Sequence, residues 1–282
     1  MSAGENSVGS SEDRVALHYA TENLEERILR AFEAAGKARA SVTADDLMAV
    51  DEFHIGGREA TEEIAAQMQL RRGIGLLDVG SGIGGPARYF ASVHGCAVTG
   101  IDLTPEYVGT ARALTALVGM SPAVKFEQGN AMHLPFADET FEGAYIFHVG
   151  MNAEDKSKLF RELKRVLRPG SVLAIYDVMR IGPGDLQFPV PWASAVQESF
   201  VASVEDYRNA LAYEGFSILA ERERKEFAID FFERMRQRTA QEGPQPFGIH
   251  LIMGETGVAK TSNVLDALRR GVIAPVQMFA RT

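Results

Sequence analysis

Cysteine is almost absent from this chain: Cys96 is the only one in 282 residues. A single thiol excludes an intrachain disulfide and any zinc site built on cysteine pairs, and a reducing compartment is its simplest setting. Positive charge is also scarce. Lys plus Arg number 29 against 38 Asp plus Glu, a net charge of -9, so the broad basic face that a nucleic-acid partner requires is not expected. Long apolar runs are missing too. The longest, at 74–79 and 172–176, fall far short of the roughly 18 residues that span a bilayer. The first residues, Met-Ser-Ala-Gly-Glu-Asn-Ser, lack the basic and apolar segments of a signal peptide. The expectation is a cytoplasmic protein with no membrane partner.

What is present suffices for a large core: 46% of residues are hydrophobic and 24% charged, ordinary values for a soluble globular chain. Residues 1–12 are rich in Ser, Gly and Glu and read as a mobile tail. From 13 to 70 the pattern is helical. Leu24, Ile28, Leu29 and Phe32 form one stripe, Thr43 is a helix N-cap, and Ile64, Ala65 and Met68 share a face. From 71 onward the pattern alternates. Strands are expected over 74–79, 97–102, 124–128, 143–148 and 171–177, with helices between them. That order specifies βαβ units, hence an α/β fold with a doubly wound, Rossmann-like parallel sheet. Segments 181–202 and 222–270 read as inserts. A last strand over 272–279 contains Pro275, which argues for an edge or a bulge.

The first strand runs into Asp78-Val79-Gly80-Ser81-Gly82-Ile83-Gly84-Gly85. Such a turn lets backbone approach a ligand closely. Asp102 ends the next strand, where a carboxylate accepts two hydrogen bonds from a ribose diol. Together they point to a nucleoside cofactor. Gly80, Gly82 and Gly85 also satisfy the dinucleotide fingerprint, so a nicotinamide-dependent oxidoreductase is an alternative.

Further blocks narrow the choice. Gly100-Ile101-Asp102-Leu103 is followed by Gly129-Asn130-Ala131-Met132-His133-Leu134-Pro135-Phe136. Then come Asp138 to Glu142 and Glu162 to Gly170, the latter ending Leu167-Arg168-Pro169-Gly170. In this order they resemble the class I S-adenosylmethionine-dependent methyltransferases. The resemblance is closest to the small-molecule subgroup of sarcosine/dimethylglycine, phosphoethanolamine and tocopherol methyltransferases. It implies a seven-stranded sheet of order 3-2-1-4-5-7-6 with a helical lid over 13–70. It implies S-adenosylmethionine as cofactor, S-adenosylhomocysteine as product and no metal. By the same resemblance Asp78, Gly80, Ser81, Gly82 and Gly84 lie along the methionine part. Asp102 binds the ribose, Leu103 and Met132 flank the adenine, and Asn130-Ala131 reads its edge where relatives have Asp-Ala. His54 and Gly57, in His54-Ile55-Gly56-Gly57, belong to the lid over the cofactor and bind it; a plain turn is the other reading.

The acceptor side is less legible. His148 ends the fourth strand, where it contacts cofactor, accepts a proton, or simply bonds backbone. Asn152 stands where phosphoethanolamine methyltransferases carry a His, which argues against phosphobase substrates; it also suits a helix cap. Tyr19 falls where relatives place a pocket-closing Tyr, or is a core residue. Trp192, the single tryptophan, either holds a substrate cation or ring by its face or plugs the insert. The expected acceptor is a small molecule, first a glycine-type amine, second the oxygen or carbon of a phenol or quinone ring. A non-catalytic binding module is a third class. The expected assembly is a monomer or homodimer. Gly254 to Thr261 hints at a phosphate-binding loop but has Ala259 before its Lys and does not follow the first strand.

Overall fold

The run Gly75–Val79 forms β1, and its buried Leu76, Leu77 and Val79 place it at the centre of the sheet. The computed structural model describes residues 10–19, 23–243 and 245–282. Around β1 lie β2 (Ala97–Asp102), β3 (Val124–Gln128), β4 (Phe141–Phe147), β5 (Leu167–Arg180), β6 (Ser217–Glu223) and β7 (Ile273–Arg281). The order is β3-β2-β1-β4-β5-β7-β6, as the resemblance implies. The first five strands are parallel, and β7 runs antiparallel between β5 and β6. Strands buried on both faces read as continuous apolar runs, which is why 74–79 and 172–176 carry so little polarity.

Pro275 lies inside β7, a central strand, contrary to the edge position expected for it. The register explains why. Its carbonyl accepts from the Arg224 amide at 2.8 Å, just past the last β6 pair, Glu223 with Val276. The Arg224 carbonyl, to which residue 275 would otherwise donate, takes the Ala228 amide instead at 3.0 Å. The missing N–H therefore costs no ladder bond.

The helices are α1 (Ser11–Tyr19), α2 (Leu24–Ala34), α3 (Ala44–Asp51), α4 (Gly57–Ala65), α5 (Gly85–His94), α6 (Pro105–Leu117), α7 (Lys156–Val166), α8 (Val204–Tyr213), α9 (Lys225–Glu242), α10 (His250–Met253) and α11 (Gly257–Arg269). Of the segment read as a mobile tail, residues 1–9 lie outside the described residues, while Ser11 and Glu12 already belong to α1. Thr43 caps α3 through a reciprocal box with Asp46, which satisfies two amides that the helix cannot pair itself.

The stripe of α2 (Leu24, Ile28, Leu29, Phe32) packs with Val50 of α3 and with Tyr107 and Leu114 of α6. Each such buried side chain stabilises by roughly 1.5–3 kcal/mol, enough to seat the N-terminal helices on the carboxyl edge of the sheet. A second anchor is ionic. Arg88 of α5 meets Asp51 at 2.7 Å, both side chains being buried.

Candidate active site

A cavity of about 1600 Å3, its open mouth included, lies over the carboxyl ends of β1, β2 and β4. Asp78, Gly80, Ser81, Gly82, Asp102, Leu103, Asn130, Ala131, Met132 and His148 line its sheet side. Segments outside the sheet contribute Tyr19 of α1, His54 of the α3–α4 turn, Asn152 after β4 and Trp192 of the insert after β5. Fourteen of the sixteen residues singled out from the sequence thus share one cavity.

Gly57 and Gly84 are the two exceptions; neither lines the cavity. Gly84 has φ 88, and a Cβ there would collide with the Phe126 ring of β3. Its conformation serves the entry into α5. Gly57 offers its carbonyl to His54 Nε2 at 3.0 Å and so fixes a neighbour that does line the cavity. Gly82 is the opposite case: φ is 52, and an added Cβ would meet open space. It leaves that room at the cavity wall.

The glycine-rich turn is tied to β2 by the Gly80 and Ser81 amides, which donate to the Ile101 carbonyl at 2.8 and 3.0 Å. The turn then reaches Asp102. One carboxylate oxygen accepts from the Gly82 amide at 2.8 Å and the other from the Thr104 amide at 2.9 Å. Each oxygen retains accepting capacity for a hydroxyl. Burial pushes this carboxyl above its ordinary range while the two amides oppose the shift. Asp78 is more deeply placed. Burial drives its carboxyl up to about 8, with the nearby Tyr145 hydroxyl opposing the shift.

Several buried polar atoms on the lining residues have no hydrogen-bond partner among the described residues: Asp51 Oδ1, Asp78 Oδ2, Ser81 Oγ and Asn152 Oδ1. Leaving each unpaired costs about 1–3 kcal/mol. Four such atoms in one cavity fit a ligand that brings hydrogen-bond donors.

His148 has φ 57, unusual for a residue with a side chain. The cause is local: its amide donates to the Tyr176 carbonyl at 2.7 Å and its Nδ1 to the same carbonyl at 3.1 Å. Nε2 then accepts from the Ile55 amide at 3.3 Å. Both ring nitrogens are committed to backbone, and burial lowers the imidazole to about 4. The ring clamps the 52–57 segment onto the end of β4.

Asn152 does not cap α7. Asp155 does so, accepting from the Lys158 amide at 2.9 Å. Asn152 instead ends a one-turn 3-10 segment, Gly150–Asn152, and donates to the Tyr19 hydroxyl at 3.1 Å. Tyr19 packs edge-on against Phe53 and tilted against Tyr107. Its neighbour His18 bonds the Pro191 carbonyl at 2.9 Å and Ser194 Oγ at 3.0 Å, so α1 is docked onto the insert. Trp192 of that insert is 2% exposed. Its Nε1 donates to Ser199 Oγ at 2.9 Å, and its ring packs with Val190, Phe232 and Val264. It is at once the plug of the insert and a wall of the cavity.

No sequence signal marks the far wall. Phe231, Phe232, Ile252, Met253 and Val264, from α9 to α11, line it. The 254–261 stretch is a turn leading into α11, not a phosphate loop. Among the described residues no group of three or more His, Cys, Asp or Glu is placed to hold a metal, and no helix is long and apolar enough to cross a membrane.

Comparison with known proteins shows the family. The family model for a methyltransferase domain matches residues 77–175, the segment from β1 into β5. The methyltransferase GfsG of Streptomyces halstedii is 30% identical over 222 residues, covering 77% of this chain and 76% of that protein. The O-methyltransferase resE of Aspergillus sclerotiorum is 33% identical over 180 residues, 62% of this chain and 67% of that one. Phosphoethanolamine N-methyltransferase 2 of Haemonchus contortus, solved with S-adenosyl-L-methionine, shares the fold. It superposes at a TM-score of 0.76 and 18% identity, covering 98% of this chain and 60% of that one. The ordered blocks from Asp78 to Gly170, the sheet order and the extent of these matches replace the nicotinamide alternative: the chain belongs to the class I S-adenosylmethionine-dependent methyltransferases.

Proposed function

We propose that this chain methylates the hydroxyl oxygen of an apolar small molecule that carries no anionic group. The observation that carries the reading is the lining of the cavity. It is rich in Tyr, Phe, Trp, Ile, Met and Val, and holds no lysine or arginine among the described residues. A glycine-type amine brings a carboxylate and a phosphobase brings a phosphate. Either would be buried without a cationic partner, at a cost of several kcal/mol in order of magnitude. An aromatic alcohol is instead met by apolar walls and a few polar groups, the ordinary chemistry of a small-molecule site.

The cofactor half rests on the family resemblance, and the unpaired atoms of Asp78 and Ser81 support it. Asp102 takes the ribose hydroxyls with the accepting capacity its two amide bonds leave free. Leu103 and Met132 flank the adenine, and Asn130 reads its edge. The Asn130 side-chain oxygen already accepts from the Met132 amide at 2.8 Å, which sets the plane of the amide. Asp78 and Ser81 receive the donors of the methionine end. When bound, S-adenosylmethionine supplies a methyl group already activated on a sulfonium, so no further activation of the electrophile is required. The protein's part is to align the acceptor, exclude water and receive a proton. Helix α1 and the Trp192 insert close the mouth, and the Asn152–Tyr19 pair ties them to the catalytic edge.

The test is methyl transfer from methyl-labelled S-adenosylmethionine to 2-naphthol, catechol, sarcosine, glycine and phosphoethanolamine in parallel, read by mass spectrometry. Methyl ethers from the aromatic alcohols are expected, with no product from the three charged acceptors. Product from sarcosine or glycine alone would overturn the reading in favour of the amine.

A further inference from the structure

Two histidines line the cavity, and they differ in what they leave unused. His148 has both nitrogens on backbone groups. His54 does not. Its Nε2 lies 3.0 Å from the Gly57 carbonyl and 3.2 Å from Thr61 Oγ1. Thr61 gives its own proton to Glu52 Oε2 at 2.8 Å, and Arg58 holds the other Glu52 oxygen at 3.3 Å. A carbonyl only accepts, so Nε2 carries the hydrogen and Nδ1 carries the lone pair. Nδ1 makes no hydrogen bond among the described residues, on a ring that lines the cavity. The Gly57 carbonyl thus locks one tautomer and leaves one imidazole lone pair unspent.

We propose that His54 Nδ1 accepts the hydrogen bond of the acceptor's hydroxyl and receives its proton as that oxygen is methylated. The proposal rests on the hydroxyl reading above. The balance is simple. As the oxygen gains the methyl carbon, the carbon–sulfur bond of the methyl donor breaks and its electron pair returns the sulfonium to a neutral thioether; the O–H bond breaks with its pair staying on oxygen, and an N–H bond forms at Nδ1. The imidazolium charge passes to water when the product leaves.

Burial lowers the His54 imidazole to about 3, the neighbouring His148 adding to the effect. Such a ring is neutral across the physiological range and always presents its lone pair. It is a weak base, but a methylated hydroxyl is an oxonium, a far stronger acid than any imidazolium. The transfer is therefore downhill once the C–O bond has formed, and the ring's role before that is orientation.

The experiment is 15N-histidine NMR on the full chain saturated with S-adenosylhomocysteine, with 2-naphthol and naphthalene as probes. The free site should show His54 with a pyridine-type Nδ1 and a protonated Nε2. Adding 2-naphthol should move the Nδ1 resonance and adding naphthalene should not. 2-Naphthol should bind about five- to tenfold more tightly than naphthalene, the effect of one neutral hydrogen bond. His54→Gln keeps a donor toward Gly57 and Thr61 but has no group at Nδ1. It should lose that preference when saturated with S-adenosylhomocysteine. Thr61→Val, which keeps the ring and its bond to the Gly57 carbonyl, should keep the same tautomer and the preference. If 2-naphthol binds and the His54 resonance stays still, the His54 assignment is overturned and the hydroxyl reading stands. If neither probe binds, the apolar-acceptor reading falls and the assignment with it.

Discussion

Asn152 and Tyr19 are 133 positions apart in the chain, yet the amide of one donates to the hydroxyl of the other at 3.1 Å. The bond joins α1 to the loop after β4, across the cavity. Tyr19→Phe keeps the ring contacts with Phe53 and Tyr107 and removes only the oxygen. A neutral hydrogen bond contributes about 0.5–1.5 kcal/mol, so the affinity for S-adenosylhomocysteine is expected to fall about three- to tenfold. Tyr19→Ala also strips the ring from its partners and is expected to cost more. Calorimetric titration of the two variants separates the hydroxyl from the packing; equal losses would assign the whole effect to the ring.

How far the site was legible in the sequence follows from what each residue does. Asp78, Gly82 and Asp102 were legible because a strand, a glycine turn and a carboxylate one strand later leave few geometric alternatives. Gly57 and Gly84 do not line the cavity, and a glycine required by a neighbouring ring or a turn looks the same in sequence as one required by a ligand. Asn152 was open to a capping role because it precedes a helix; Asp155 is at the correct offset and takes that role. Phe231, Phe232, Ile252, Met253 and Val264 were invisible. An apolar helix face is written identically whether it meets a core or a cavity, and only the tertiary structure tells which.

Asp102 carries two amide bonds on its own side of the cavity and two hydroxyl bonds on the proposed ligand side. Hydrogen bonds to a charged group contribute about 1.5–3 kcal/mol each. Asp102→Ala is therefore expected to weaken S-adenosylmethionine binding by at least about a hundredfold. Asp102→Asn, which keeps one accepting oxygen, is expected to fall between. Titration calorimetry reads both, and an unchanged affinity in Asp102→Ala would remove the ribose from this position.

Asp78 links pH to stability. Its carboxyl is raised to about 8 by burial, with Asp102 adding to the shift and Tyr145 and Arg88 opposing it. In the unfolded chain the same group ionises near 3.9. The folded state thus holds a proton that the unfolded state has already released. The resulting stabilisation is complete below about pH 4 and is lost as pH rises to about 8. Asp78→Asn removes this dependence. The ligand-free variant should melt a few degrees higher than wild type at pH 8, with the difference shrinking toward pH 5. It should also bind S-adenosylmethionine less tightly, because the cationic end of the ligand favours the ionised carboxylate. Scanning calorimetry over pH 5–8, with and without ligand, checks both signs; a difference that grows toward low pH would contradict the assignment.

Arg88 and Asp51 form the buried ionic anchor between α5 and the end of α3, at 2.7 Å. Arg88 also donates to Thr115 Oγ1 and to the Ile83 carbonyl, each at 2.7 Å, so it supports the glycine-rich turn as well as the lid. Arg88→Met leaves the Asp51 carboxylate buried without its partner, and such a loss costs about 3–5 kcal/mol. Asp51→Asn strands the guanidinium in the same way, though the two further acceptors soften the effect. The double variant buries no unpaired charge, so it should be more stable than Arg88→Met alone. A double-mutant cycle by urea denaturation measures the coupling, expected at about 1–3 kcal/mol. The cofactor provides a second reading. Arg88→Met frees the Ile83 carbonyl and loosens the turn, so its binding defect should persist in the double variant even where stability returns. Recovery of both together would mean that Arg88 acts on the site through the fold alone.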